Sequence, residues 1–451
     1  MIVMKFGGSS LAGADRIRNA AEIVKARLGR KPVLVLSALG DTTDFLLEAG
    51  ETALGKGVVK ADKIEELHFR TIKELGLGDA SLNNIRGLLE ELRNLLTGIS
   101  LIRELTGKTR DYLVSFGERL SVRIVADYFN SLGVKAKAID AWNAGFISDS
   151  NFTSAELTES AWKLIPAKLQ GSAQKDVLQI VTGFIAKDKK GNITTLGRGG
   201  SDLSATIIAA ACRSDEAQIW KDVDGILTAD PRIVKNARPV EAITYEAASE
   251  LAYFGTQVLH PRAIQPCMKT GTPLLVKNSF NPGAAGTRIV GTLRKRSNPV
   301  QTISTHKNIT LVDIYSTWMV GQHGFLAEVF SCFAKHSVSV DMVATSEVSI
   351  SLTIGKAQDL TALKKDLSRI ANVEIHTGCA IVTIIGDVHR SSEILARAFR
   401  VCKLLGVQVQ MISQGASKVN ISFIVNDREA EEVVKGLHVD FFDSQDEGGK
   451  A

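Results

Sequence analysis

IVMKFGGSSLAGADRIRNAAEIVKARLGRKPVLVLSAL, Ile2–Leu39, is the stretch whose reading decides the fold class. It opens on an apolar β-type run interrupted by one lysine, Lys5, and turns through Gly7 and Gly8. A segment of helical periodicity follows (ADRIRNAAEIVKARLG), then a second apolar run, PVLVLSAL. Strand, helix and strand in that succession predict a largely parallel α/β sheet. Ligands of such sheets gather at the carboxyl ends of the strands, where KFGGSS lies. Gly7 and Gly8 let the backbone turn tightly and aim amide N–H groups at an anion, Ser9 and Ser10 can cap the following helix, and Lys5 supplies a full charge to a phosphate. The alternative is a plain turn; GxxxxGK[ST] does not occur here.

Outward from this unit, Leu46 to about Gly107 is almost wholly helical in pattern, an insertion or lid, and VLQIVTGFIA and QIWKDV read as later strands. Asn278–Val300, rich in glycine, proline and asparagine, reads as the end of the first domain and a linker. Beyond it, DMVATSEVSISL from Asp341 aligns with QMISQGASKVNISF from Gln410, an internal repeat of about seventy residues. Each copy reads as strand, helix, strand, strand, helix, strand, the ferredoxin-like order.

Composition narrows the chemistry. Of 451 residues, 45 % are hydrophobic and 23 % charged, which suits a globular chain of two to four domains. A net charge of +5 with no basic stripe argues for small anionic ligands rather than nucleic acid. The five cysteines are scattered, without CxxC or zinc spacing, so no metal site is expected. The chain enters its first strand directly and has no apolar run of membrane-spanning length, so a cytoplasmic or mature chain is expected.

Three further motifs carry chemistry. In TLGRGGSDLSA, from Thr195, glycines surround Arg198, which can grip a carboxylate, while Asp202 can orient a lysine; Ser201 and Asp202 could equally be helix caps. WKDVDGILTADPR, from Trp220, lacks the terminal glutamate of a calcium loop and would present mixed charge to a polar ligand such as a nucleotide. SFGERLS, from Ser115, places Glu118 at the start of an apolar helix, where a glutamate usually serves the dipole.

In this order, KFGGSS, SALGDTTD, SFGE, TTLGRGGSD, WKDVDGILTADPR and AYFGTQVLHP resemble the aspartate kinase family of the amino-acid kinase superfamily, from Met1 to about Phe442. The repeated half is similar to that family's paired ACT modules. The resemblance implies a carbamate-kinase-like three-layer α/β sandwich over 1–297, with the helical insertion at about 46–107. It implies a regulatory region over 298–451 with ACT modules at about 308–380 and 381–442. It further implies phosphorylation of the β-carboxylate of L-aspartate by ATP with Mg²⁺, the first step towards lysine, threonine and methionine, in a homo-oligomer. The physics agrees: an aspartate carboxylate is ionised at neutral pH and needs no general base, so positioning and charge neutralisation carry the transfer.

By motif position, the resemblance makes Lys5 and Asp202 catalytic and places Ser37, Thr43, Glu118, Arg198 and Ser201 around aspartate, Arg198 on its α-carboxylate and Glu118 on its ammonium. Gly7, Gly8, Ser9, Lys221, Asp222, Leu227, Arg232 and Gln257 would join Lys5 at ATP. Gln257 stands where many bacterial members have lysine, and Leu227 where tyrosine is common, both closer to the plant-type branch. In the regulatory half, Met319, Gly324, Phe325, Leu326, Ser339, Val340, Asp341, Thr345, Ser346 and Glu347 resemble a lysine effector site, acidic groups suiting an ε-ammonium. Threonine, or lysine with S-adenosylmethionine, is the alternative effector. The alternative functions are a kinase of glutamate or N-acetylglutamate and a silent amino-acid sensor.

Overall fold

The computed structural model of the chain describes residues 1–173, 176–254, 258–293, 298–316, 323–356, 359–414 and 419–443. They group into two units: 1–226, 241–248 and 258–293 in the first, 227–240, 249–257 and 294 onward in the second.

The first unit carries strands β1 (Ile2–Phe6), β2 (Pro32–Leu36), β3 (Ala136–Ile139), β4 (Ile147–Ser148), β5 (Leu178–Thr182), β6 (Ile185–Asp188), β7 (Ile193–Thr195), β8 (Glu216–Lys221), β9 (Ala242–Thr244), β10 (Leu274–Asn278) and β11 (Thr287–Val290). Its helices are α1 (Ala14–Lys25), α2 (Thr42–Lys56), α3 (Asp62–Glu74), α4 (Asp79–Ile102), α5 (Gly107–Ser131), α6 (Glu159–Ala173), α7 (Gly200–Ala211), the first residues of α8 (Tyr245–Phe254), and α9 (Pro261–Thr270). The main sheet runs β3-β5-β2-β1-β8-β10-β11-β9, and β4, β6 and β7 form a small second sheet. Every pairing in the main sheet is parallel except β10 with β11.

Strands β1, β2 and β5 are buried at every residue, as expected of parallel strands covered on both faces. Ile2, Met4 and Phe6 enter the core built with α1 to α5. Alternation along the strand therefore sends Lys5 to the other face, where Asp202 of α7 meets it. The helical stretch anticipated from Leu46 forms the end of α2 with α3 and α4.

The expected linker at Asn278–Val300 needs correction: Thr287–Val290 is β11, and it belongs to the main sheet. The glycine-rich run before it closes a tight connection, since a Cβ on Gly286 (φ 77°) would lie 2.2 Å from the Val276 carbonyl oxygen.

The second unit is built on one antiparallel sheet, β13 (Val340–Thr345), β14 (Ser349–Ile354), β12 (Val300–Tyr315), β15 (Asn372–Gly386), β17 (Asn420–Asn426) and β16 (Met411–Ser413) in that order. Helices α10 (Phe325–Lys335), α11 (Thr361–Leu367), α12 (Ser391–Leu405) and α13 (Ala430–His438) complete it. The long strands β12 and β15 pair from Val300↔Gly386 to Tyr315↔Asn372 and serve both copies of the repeat. The second copy thus departs from the chain order read in the repeat. Its last strand is the first half of β12, which precedes the whole repeat in sequence.

Candidate functional site

The end of β1 and the turn after it are knit to the turn after β2. Ser37 N–H donates to the Phe6 carbonyl (3.1 Å) and Gly40 N–H to the Gly8 carbonyl (3.2 Å). A Cβ on Gly8 would meet the Gly40 carbonyl oxygen at 2.9 Å, so the crossing of these backbones requires glycine there. The expected serine caps do not form. Helix α1 starts behind Gly13 without a side-chain cap, Ser9 is exposed, and the buried Ser10 hydroxyl bonds instead to Ser279 (2.8 Å) and the Trp220 carbonyl (3.4 Å). Ser10 thus ties the turn to β8 and the end of β10.

Lys5 is buried and its Nζ lies 2.6 Å from Asp202 Oδ1, while Lys221, at the end of β8, places Nζ 3.0 Å from Oδ2. Burial opposes ionisation of Asp202, yet the two lysines hold its carboxyl below the ordinary aspartate value. For Lys5, burial and the neighbouring Lys221 pull the pKa down against Asp202 and Glu118. Two cations thus share one carboxylate, leaving an excess positive charge at the carboxyl ends of β1 and β8, suited to a phosphoryl group. Ser201 and Asp202 are not caps either: α7 begins behind Gly199, which has φ 69° and no side-chain cap. Both residues lie in the first turn, and the left-handed Gly197 (φ 74°) and Gly199 bracket the exposed Arg198.

Glu118 stands in the middle of α5, not at a helix start, because Gly117 does not break the helix. A Cβ at Gly117 would come within 2.7 Å of the Ala38 Cβ, so the glycine permits α5 to pack on the turn after β2. Glu118 is therefore no dipole partner; it is buried, with Oε2 lacking any hydrogen bond. Burial pushes its carboxyl up to about 8, against the pull of the Ala38 N–H and Lys5. An arriving ammonium would supply the missing counter-charge.

These groups line one cavity of about 490 Å³: Lys5, Gly8, Ser37, Thr43, Glu118, Arg198, Ser201 and Asp202 all border it. Lys221 reaches it through Asp202. Gly7, Ser9 and Asp222 are not among its lining residues, and Leu227 and Arg232 fall in the second unit, where Arg232 pairs with Asp230 at 2.6 Å. Gln257 and Met319 lie outside the described residues.

Sequence reasoning missed Asp111, which also borders the cavity. Its carboxylate accepts from the Thr153 and Thr195 N–H groups (2.8 and 2.9 Å) and from the Thr195 hydroxyl (2.8 Å), fastening α5 to the strand that leads into the Arg198 loop. The signal was its spacing, seven residues before Glu118 and hence two turns along the same helix face.

In the second unit, Gly324 (φ 90°) precedes α10, with Phe325 buried and Leu326 exposed at its start. Ser339, Val340 and Asp341 lead into and open β13, while Thr345, Ser346 and Glu347 form the exposed turn to β14. Asp341 accepts a hydrogen bond from the Tyr253 hydroxyl at 2.8 Å.

Comparison with known proteins adds the following. The amino acid kinase family model matches residues 1–278, and an ACT domain model matches 312–365 and 382–441. Aspartokinase 1, chloroplastic, of Arabidopsis thaliana is 50 % identical over 98 % of this chain and 80 % of its own length. Escherichia coli aspartokinase III in complex with aspartate and ADP superposes with a TM-score of 0.82 at 32 % identity, covering 98 % of this chain and 100 % of that one. The same enzyme in complex with lysine and aspartate gives 0.80 at 32 % identity, covering 98 % and 99 %.

Proposed function

Because the chain belongs to the aspartokinase family, we propose that it transfers the γ-phosphoryl group of ATP to the β-carboxylate of L-aspartate, yielding ADP and 4-phospho-L-aspartate. The observation that carries this reading is the lysine-aspartate-lysine cluster beside Glu118 and Arg198 in one cavity. Arg198 and Glu118 would take the α-carboxylate and the ammonium of the substrate, leaving its β-carboxylate free to face Lys5. That carboxylate is already a nucleophile, and Asp202, engaged by two lysines, is not required as a base. Lys5 and Lys221 would neutralise charge that shifts to the transferring and leaving oxygens.

Among the described residues no three acidic, histidine or cysteine side chains cluster as a metal site. Mg²⁺ would enter with the ATP phosphates and screen their charge. The reaction would open the route to lysine, threonine and methionine. Coupled measurement of ADP release tests the substrate: L-aspartate should drive turnover, and glutamate and N-acetylglutamate should not. Turnover without aspartate dependence would refute the reading.

Lysine is the proposed effector, supported by the complex of the Escherichia coli relative with lysine. Its ε-ammonium would bind at Asp341 and Glu347, and must then compete with the Tyr253 hydroxyl for Asp341. Tyr253→Phe is expected to lower the lysine concentration for half inhibition about three- to tenfold, the equivalent of one partly exposed hydrogen bond to a charged group. An unchanged inhibition curve would remove Asp341 from the effector site. A homo-oligomer assembled through the ACT sheet is proposed, with effector and substrate sites coupled through it. No helix among the described residues is long and apolar enough to cross a membrane. The cytoplasm is the proposed compartment.

A further inference from the structure

Residues 227–240 belong by their contacts to the second unit, although they continue the WKDVDGILTADPR motif. Leu227 bridges to Pro239, and Thr228 N–H donates to the Arg238 carbonyl (2.8 Å), closing the segment into a loop. The loop is held from beneath by the regulatory unit. Ala229 and Val234 enter the core formed by β12, β15, β17, α12 and α13, Ile303 N–H donates to the Thr228 carbonyl (2.8 Å), and the Thr302 hydroxyl donates to the Leu227 carbonyl (2.8 Å).

One polar chain is buried within this anchorage. The Thr228 hydroxyl accepts the Arg238 N–H at 2.9 Å and lies 2.9 Å from Nε2 of His438, the last residue of α13, which is fully buried. With the imidazole proton on Nδ1 the hydroxyl donates to Nε2, and with it on Nε2 the hydroxyl accepts; in either tautomer the pair is joined by one buried hydrogen bond. Nδ1 faces Asp443 at 3.5 Å, and Asp443 in turn takes Asn236 Nδ2 (2.9 Å) and Arg238 (3.1 Å). Phe442 packs against the ring at a tilt of 36°, with centroids 4.8 Å apart. Both flanks of the loop are thus fixed by the last turn of the regulatory fold.

We propose that Thr228 and His438 are positioning residues for the nucleotide: their buried hydrogen bond sets the pose of the 227–240 loop, so that ATP affinity is written into the carboxyl-terminal helix. The inference rests on the reading that Leu227 and Arg232 face the nucleotide.

Thr228→Val keeps the side-chain volume and removes the hydroxyl; His438→Gln keeps an amide that can donate or accept within reach; Arg232→Ala tests the underlying reading. Steady-state kinetics on the full-length protein should give for Thr228→Val a KM for ATP raised about five- to tenfold, the size of one buried hydrogen bond, with KM for aspartate and kcat within about twofold of wild type. His438→Gln should shift KM for ATP less, and the double variant should be no worse than Thr228→Val alone, because both remove the same interaction. A purely structural role would lower kcat through a smaller active fraction, or move both substrates together, and either result overturns the proposal. If Arg232→Ala raises KM for ATP while Thr228→Val does not, the positioning role fails and the nucleotide reading stands. If neither does, the nucleotide reading fails and the proposal with it.

Discussion

Replacement of Lys5 by alanine is expected to lower kcat by about a thousandfold or more, with little change in KM for aspartate. Removal of one preorganised charge aimed at a developing anion costs about 10²–10³ in rate where hydrogen-bond donors have been deleted, and here the donor is a full charge on a buried, fixed side chain. The fold should survive. Asp202 retains Lys221 at 3.0 Å, so the substitution leaves no unpaired buried charge, which is the usual cause of severe destabilisation. Circular dichroism and lysine binding by calorimetry should match wild type while ADP release disappears. A variant that loses both activity and structure would instead make Lys5 a structural ion-pair member.

The second large effect concerns Glu118. With its carboxyl raised to about 8 by burial, the group is about nine-tenths protonated at pH 7 before substrate arrives. If the ammonium of aspartate binds the carboxylate, binding at pH 7 must expel close to one proton. Calorimetry in buffers of different ionisation enthalpy measures this release. For the same reason kcat/KM for aspartate should climb about tenfold per pH unit below 8 and level off above it. In Glu118→Gln the slope should vanish and KM for aspartate should rise about a hundredfold, as for a lost buried charge pair.

Stability should move the opposite way. A carboxyl whose pKa is raised in the folded state contributes stability that is intact below its unfolded value near 4.5 and is lost as pH rises towards 8. At 1.36 kcal/mol per unit the loss approaches about 5 kcal/mol above pH 8. Glu118→Gln removes it, so the variant should melt higher than the unliganded wild type at pH 8 and be indistinguishable near pH 4. A lower melting temperature at pH 8 would mean that Glu118 is already compensated without substrate, and would count against its role at the ammonium.

How far the sequence carried these readings differs from element to element. β1, α1 and β2 were legible because each is short, local and strongly periodic, and the turns at KFGGSS and RGGSD were legible because glycines mark where the chain passes close to its neighbours, as Gly8 does at the Gly40 carbonyl. Glu118 was located but misplaced within its helix, since Gly117 reads as an interruption; only the packing of α5 on Ala38 gives that glycine its purpose. β11 was hidden for a related reason, as its four residues follow a run of turn formers and pair with a strand already in place. The shared β12 was out of reach: the repeat announces two copies, but nothing local says that the second takes its last strand from upstream. The same non-local logic put 227–240 into the regulatory unit, since Thr228 and His438 are 210 residues apart.

In the proposed reaction this cavity holds aspartate with its β-carboxylate turned to the phosphoryl group. Trapping the acyl phosphate with hydroxylamine tests it most directly. Incubation with ATP, Mg²⁺ and L-aspartate should yield β-aspartyl hydroxamate in step with ADP, and the Lys5→Ala protein should yield neither. Formation of ADP without the hydroxamate, or of an α-hydroxamate in its place, would contradict the claim.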